Sequence, residues 1–149
     1  MNSRAYSIID FWFNKTPSEK RFKKDVSFDE EIRKNFMEDY NLAKLNHYDD
    51  WLNQSKECLA LIILLDQFSR NLFRDKKEAF DQDHKARLAV NQGIYLGYLE
   101  EFNETEQLFF LLPLIHSEEL IDHERAYALL EKYLKNHPDI EKIKKFWAD

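Results

Sequence analysis

Asp66, Arg70 and Arg74 recur at i, i+4 and i+8 in the segment LLDQFSRNLFR (residues 64–74), with Gln67 and Asn71 beside them. On a helix turning about 100° per residue, these five polar groups share a stripe about 140° wide, opposite Leu61, Leu65, Phe68 and Leu72. Upstream, Leu61, Ile62, Ile63, Leu64 and Leu65 cover the whole circumference, so the stem of this helix is expected to be buried on every side. A carboxylate one residue past such a stem is partly stripped of water and needs a cation such as Arg70 to stay ionised. Guanidinium forks there suit an anionic ligand, with Asp66 orienting an arginine or acting as a base. The same residues also fit a helix-face salt bridge with inter-helix hydrogen bonds.

A second constellation is HSEE at 116–119. A kink near Pro113 delivers His116 to the mouth of a new helix whose N-cap is Ser117, and Glu118 and Glu119 then meet the positive end of its dipole. Capping accounts for those three residues but not for His116, whose imidazole suits proton transfer, ligand binding or plain packing at a helix start. Glu119 and His123 stand four apart and His116 and Glu119 three apart, both usable ligand spacings. No paired-His motif accompanies them, so neither a metal nor a cofactor is expected. Cys58 reads as buried, and GxSxG and Gly-rich phosphate motifs are missing, which argues against a hydrolase triad and a nucleotide loop.

The elements that must position these groups read as helices throughout. A first helix covers Arg4 to Phe13, followed by a loop at 14–26 around Pro17. A capping box SFDE at 27–30 opens a second helix with Ile32, Phe36, Tyr40 and Ala43 on its apolar face. The third runs from about Lys56 to Arg74. Asp75 with Glu78 repeats the capping signature and opens a fourth, to about Leu99, in which Gly93 and Gly97 allow close packing or loosen the helix end. A fifth spans about Glu104 to Leu112, where Pro113 should end or kink it. A sixth starts near Ser117, and a seventh starts at Pro138 with Ile140, Ile143, Phe146 and Trp147 on one side.

Composition agrees. With 149 residues, 44% hydrophobic and 34% charged, the chain is expected to form a single domain (residues 1–149) around one core. Two Gly and three Pro are too few for the turns of a sheet protein. A net charge of −6 disfavours nucleic acid as a partner. The longest apolar run, Cys58 to Leu65, is eight residues, too short to cross a bilayer. A single cysteine and an N-terminus unlike a signal peptide imply the cytoplasm.

Taken together, DFWF (10–13), FDEEIR (28–33), LALIILLDQFSRNLFR (59–74), AFDQD (79–83) and LLPLIHSEEL (111–120) resemble the mainly bacterial family called domain of unknown function 924. The resemblance implies an all-α, tetratricopeptide-like bundle of about six to seven helices, with no securely assigned activity. It also implies a shared site of Asp66, Gln67, Arg70, Asn71, Arg74, Asp83, His116, Ser117 and Glu118. Family members usually continue into a Phe-Gly-Arg-Phe-Pro-His-Arg-Asn segment, where this chain ends at FWAD (146–149).

The expectation is a binding module with a polar pocket between the third, fourth and sixth helices, taking a small anionic ligand or a partner segment. The alternative is an enzyme doing acid–base chemistry, hydrolysis included, with Asp66, Arg70, His116 and Glu118.

Overall fold

A computed structural model describes residues 1–138 together with Ile140 and Glu141. Asn2 opens the first helix, α1 (Ser3–Ile9), its side-chain oxygen accepting from the backbone N–H groups of Arg4 and Ala5. At DFWF the helix widens into a π-helical stretch, Asp10–Lys15. The second helix, α2 (Val26–Lys44), starts earlier than a cap at Ser27 allows. Asp25 caps it by accepting from the Phe28 N–H, which leaves Ser27 inside the first turn.

The third helical rod is continuous from 55 to 72: α3 (Ser55–Ile62), a π-helical stretch Ile63–Phe68 and α4 (Ser69–Leu72). The capping box expected at Asp75 does not form, because Asp75 takes a left-handed backbone conformation with φ 65°. The next long helix is therefore delayed to α5 (Asp83–Tyr95). A capping box does open α6 (Glu104–Ile115): Asn103 and Glu106 satisfy each other's backbone N–H groups. Pro113 lies inside α6 rather than ending it. It stands in the last turn, where burial of Leu108 to Ile115 offsets one missing donor. The next helix, α7 (Leu120–Tyr133), begins three residues beyond Ser117. Of the seventh helix read from the sequence, Ile143, Phe146 and Trp147 lie outside the described residues. No strand occurs among the described residues.

The 55–72 rod sits at the centre, with α1, α2, α5 and α6 packed around it. Its stem is buried all round: Leu61 through Leu65 are at most 1% exposed. Phe68 is the aromatic hub, with ring centroids 6.0 Å from Phe11, 5.7 Å from Trp12 and 5.0 Å from Phe36. α2 runs antiparallel to α1, since Arg4 pairs with Asp39 while Phe11 meets Phe28. α6 runs alongside the rod in the same direction, as Lys56–Glu106 at one end and Asp66–His116 at the other demonstrate. α5 and α6 touch through Gly93, where a Cβ would fall 2.3 Å from Phe110 Cζ. Gly97 has φ 80° with open space around it, so it ends the helix instead of packing.

Candidate functional site

The π-helical stretch Ile63–Phe68 ends at the site. A π turn bonds i to i+5 and is common where a helix carries function. Here the Asp66 carbonyl accepts from Ser69 Oγ and from Arg70 Nη1, both at 2.7 Å. The first π-helical stretch is treated alike: Phe11 O accepts from Thr16 Oγ1, Trp12 O from Arg21 Nε and Phe13 O from Arg21 Nη2. In both places a side chain claims backbone oxygens at the irregular turn, and in both an arginine is fixed by doing so.

Asp66 is 1% exposed. Its Oδ2 accepts from Gln67 Nε2 at 2.7 Å and its Oδ1 lies 3.2 Å from Arg70 Nη1. Arg70 bridges two carboxylates, reaching Asp83 Oδ1 at 3.0 Å on α5 while its guanidinium lies over the Phe80 ring. His116, at the end of α6, brings Nε2 to 3.8 Å from Asp66 Oδ2. Asp66, Arg70, Asp83 and His116 thus gather from three elements. Burial pushes the His116 imidazole below its ordinary value of 6.5; Asp66 and Asp83 pull it back up and Arg70 pushes it further down.

Asn71 and Arg74 turn toward α2. Arg74 holds Asp29 by a two-point fork, Nε to Oδ2 at 2.6 Å and Nη2 to Oδ1 at 2.9 Å, and Asn71 Nδ2 donates to Asp29 Oδ1 at 2.8 Å. The Asp29 carboxylate in turn holds the Arg74 guanidinium above its usual value. Asp29 belongs to FDEEIR, a stretch whose acidic residues read in sequence only as a helix start.

The remaining two expected residues stand apart. Ser117 is buried but donates to Asp122 Oδ2 at 2.6 Å and accepts from the Glu119 N–H. It ties the α6–α7 corner together without being the N-cap, a position held by Glu119. Glu118 is exposed and joins none of these contacts.

Gln67, Arg70, Asn71, Arg74 and His116 line one cleft of about 720 Å³. Its walls differ from the expected ones: the cleft opens between the central rod, α6 and the Ser18–Phe22 stretch, rather than among the third, fourth and sixth helices. Arg21 and Phe22 supply the outer wall, and both belong to a segment that reads in sequence as a connecting loop with no chemical signature. Arg21 lies over the rings of Phe13 and Phe109 and is bonded only to backbone carbonyls; among the described residues it has no carboxylate partner. Burial lowers its affinity for the proton, as expected for a cation without a counter-charge. Cys58 is buried away from the cleft with its thiol pushed up to about 12, unsuited to nucleophilic work. Among the described residues no group of His, Cys, Asp and Glu is arranged to hold a metal ion.

Fold and site together define an all-helical protein with a cleft of mixed polar and apolar lining that carries three arginines, beside an Asp–Arg–Asp–His cluster of which Asp66 is the buried member. The chain belongs to the family described as bacterial protein of unknown function (DUF924), whose model matches residues 8–148. It is similar to a solved structure, that of the protein of unknown function ATU0120 from Agrobacterium tumefaciens, at 31% identity and a TM-score of 0.87. The match covers 96% of this chain and 80% of that one. No curated protein matches the chain.

Proposed function

We propose that this protein is a binding module for a small anionic ligand, held in the cleft by Arg21, Arg70 and Arg74 with Gln67 and Asn71 as neutral donors. One observation carries the reading: Arg21 brings a guanidinium to the cleft wall with no carboxylate against it among the described residues. A partly buried cation without a counter-charge favours an anion from solution, and its planar fork suits a phosphate or carboxylate. Arg70 and Arg74 are already paired with Asp66, Asp83 and Asp29, which fixes their orientation before a ligand arrives. Acid–base catalysis is the weaker reading, because Glu118 is outside the cleft and the Asp66 carboxylate is already engaged by Gln67 and Arg70.

For the scaffold we infer a tetratricopeptide-like stack, supported by the antiparallel lie of α1 and α2. A reducing, cytoplasmic setting is supported by the lone buried thiol of Cys58.

Thermal unfolding in the presence of phosphate, sulfate and simple carboxylates tests the binding reading. An anion at a hundred times its Kd adds about 2.7 kcal/mol, which for a chain of this size raises Tm by roughly 5–10 °C. Arg21→Gln should remove most of that rise while leaving the ligand-free protein folded by circular dichroism. If every anion leaves Tm unchanged, or Arg21→Gln responds like the parent, the reading is lost.

A further inference from the structure

Resting on the anion-binding reading, the two walls of the cleft say more about the ligand. We propose that it is an organic oxyanion: a phosphate or carboxylate head joined to an apolar, ring-sized body. The inner wall, from the central rod, is polar, with Gln67, Arg70, Asn71 and Arg74 along it. The facing wall, from α6, is apolar: Leu108, Phe109, Leu112 and Ile115 recur at i, i+1, i+4 and i+7 and reach the cleft together. A bare inorganic anion would engage the first wall and make no use of the second.

Phe22 extends the apolar wall. Its ring is stacked on Phe109 with centroids 5.5 Å apart and planes 14° from parallel, yet the residue is 69% exposed. Phe22 thus lines the cleft beside Arg21, packed on Phe109 and otherwise largely open to solvent. The same loop therefore supplies a guanidinium and an aromatic face side by side, which is how a site grips an anionic head and stacks the body attached to it. The cleft volume of about 720 Å³ falls in the range that encloses a ligand of organic rather than inorganic size.

The experiment is isothermal titration calorimetry of the whole chain against matched pairs: phosphate with phenyl phosphate, and acetate with benzoate, plus neutral benzyl alcohol. Phenyl phosphate or benzoate should bind at least about tenfold more tightly than its parent, about 1.4 kcal/mol. The pair that responds identifies the head as phosphate or carboxylate. Phe22→Ala should cut that advantage at least about threefold while leaving the parent anion's affinity in place, and because Phe22 is largely exposed the variant should still fold. If the parents bind but their aromatic partners gain less than tenfold, the apolar body is refuted and anion binding stands. The apolar body is refuted equally if Phe22→Ala leaves the advantage intact. If no anion binds, or benzyl alcohol binds as tightly as the tighter of the two aromatic anions, the anion reading itself fails and this one with it.

Discussion

At the residue scale, His116 is the group whose charge the surroundings control most directly. Its half-buried imidazole lines the cleft at the end of α6, and its affinity for protons is lowered mainly by loss of water. For a base held below its unfolded value the sign is fixed: above about pH 6.5 both states are neutral and the stability is fully present. As pH falls below that value the unfolded chain takes up the proton first, so stability declines toward the lower folded value. Chemical denaturation of the parent should therefore show unfolding free energy falling between pH 7.5 and 5.5 (a window set about the 6.5 reference value), and His116→Asn should flatten that fall. Equal slopes in the two proteins would show that His116 is not buried as a neutral ring. Asp66 illustrates a different limit at this scale. Its partnership with Arg70 was legible from the i, i+4 spacing, whereas Asp83 came into the same site only through the family resemblance, because nothing local links positions 70 and 83.

At the scale of elements, the two glycines of the fourth long helix separate packing from backbone geometry. Gly93→Ala would put a methyl group 2.3 Å from the fully buried Phe110 ring, and overpacking of this kind costs about 1–3 kcal/mol. Gly97→Ala meets no atom but must hold φ near 80°, a strain of about 1 kcal/mol for an L side chain. Urea unfolding should thus rank Gly93→Ala as the more damaging; the reverse order would mean that α5 and α6 are not pressed together at this point. Helix existence was readable along the described chain because apolar positions repeat with the helical period. Helix starts were less so: SFDE and the Asp75–Glu78 pair carry the capping residues, but Asp25 and a left-handed Asp75 override them. A residue type that can cap does not cap unless its backbone takes the extended conformation that aims the side chain back at the first turn. The π-helical stretches at DFWF and ILLDQF were likewise invisible, since a single inserted residue hardly disturbs an apolar pattern that already covers the helix.

At the scale of the molecule, α1, α2, α5 and α6 pack directly on the 55–72 rod, α7 packs on α6, and one connected set of buried side chains runs from Ala5 to Ile140. Such a hub should make unfolding all-or-none. Far-ultraviolet circular dichroism and tryptophan fluorescence are expected to give coincident thermal transitions, and Phe68→Ala, which removes the ring shared by Phe11, Trp12 and Phe36, should lower stability by about 3–5 kcal/mol. Separate transitions by the two probes would show that the chain divides into independently folding parts.

What the sequence determined by itself was the helical class, the buried stem at Leu61–Leu65 and the polar stripe behind it, because each depends on periodicity and composition within a short stretch of chain. Tertiary structure decided which polar groups meet. It placed Asp83 on Arg70, Asp29 on Arg74, and Arg21 with Phe22 across the cleft, and it left Glu118 at the surface. Contacts between residues far apart in the chain are set by how whole helices pack, and a one-dimensional pattern carries no record of which faces will be brought together.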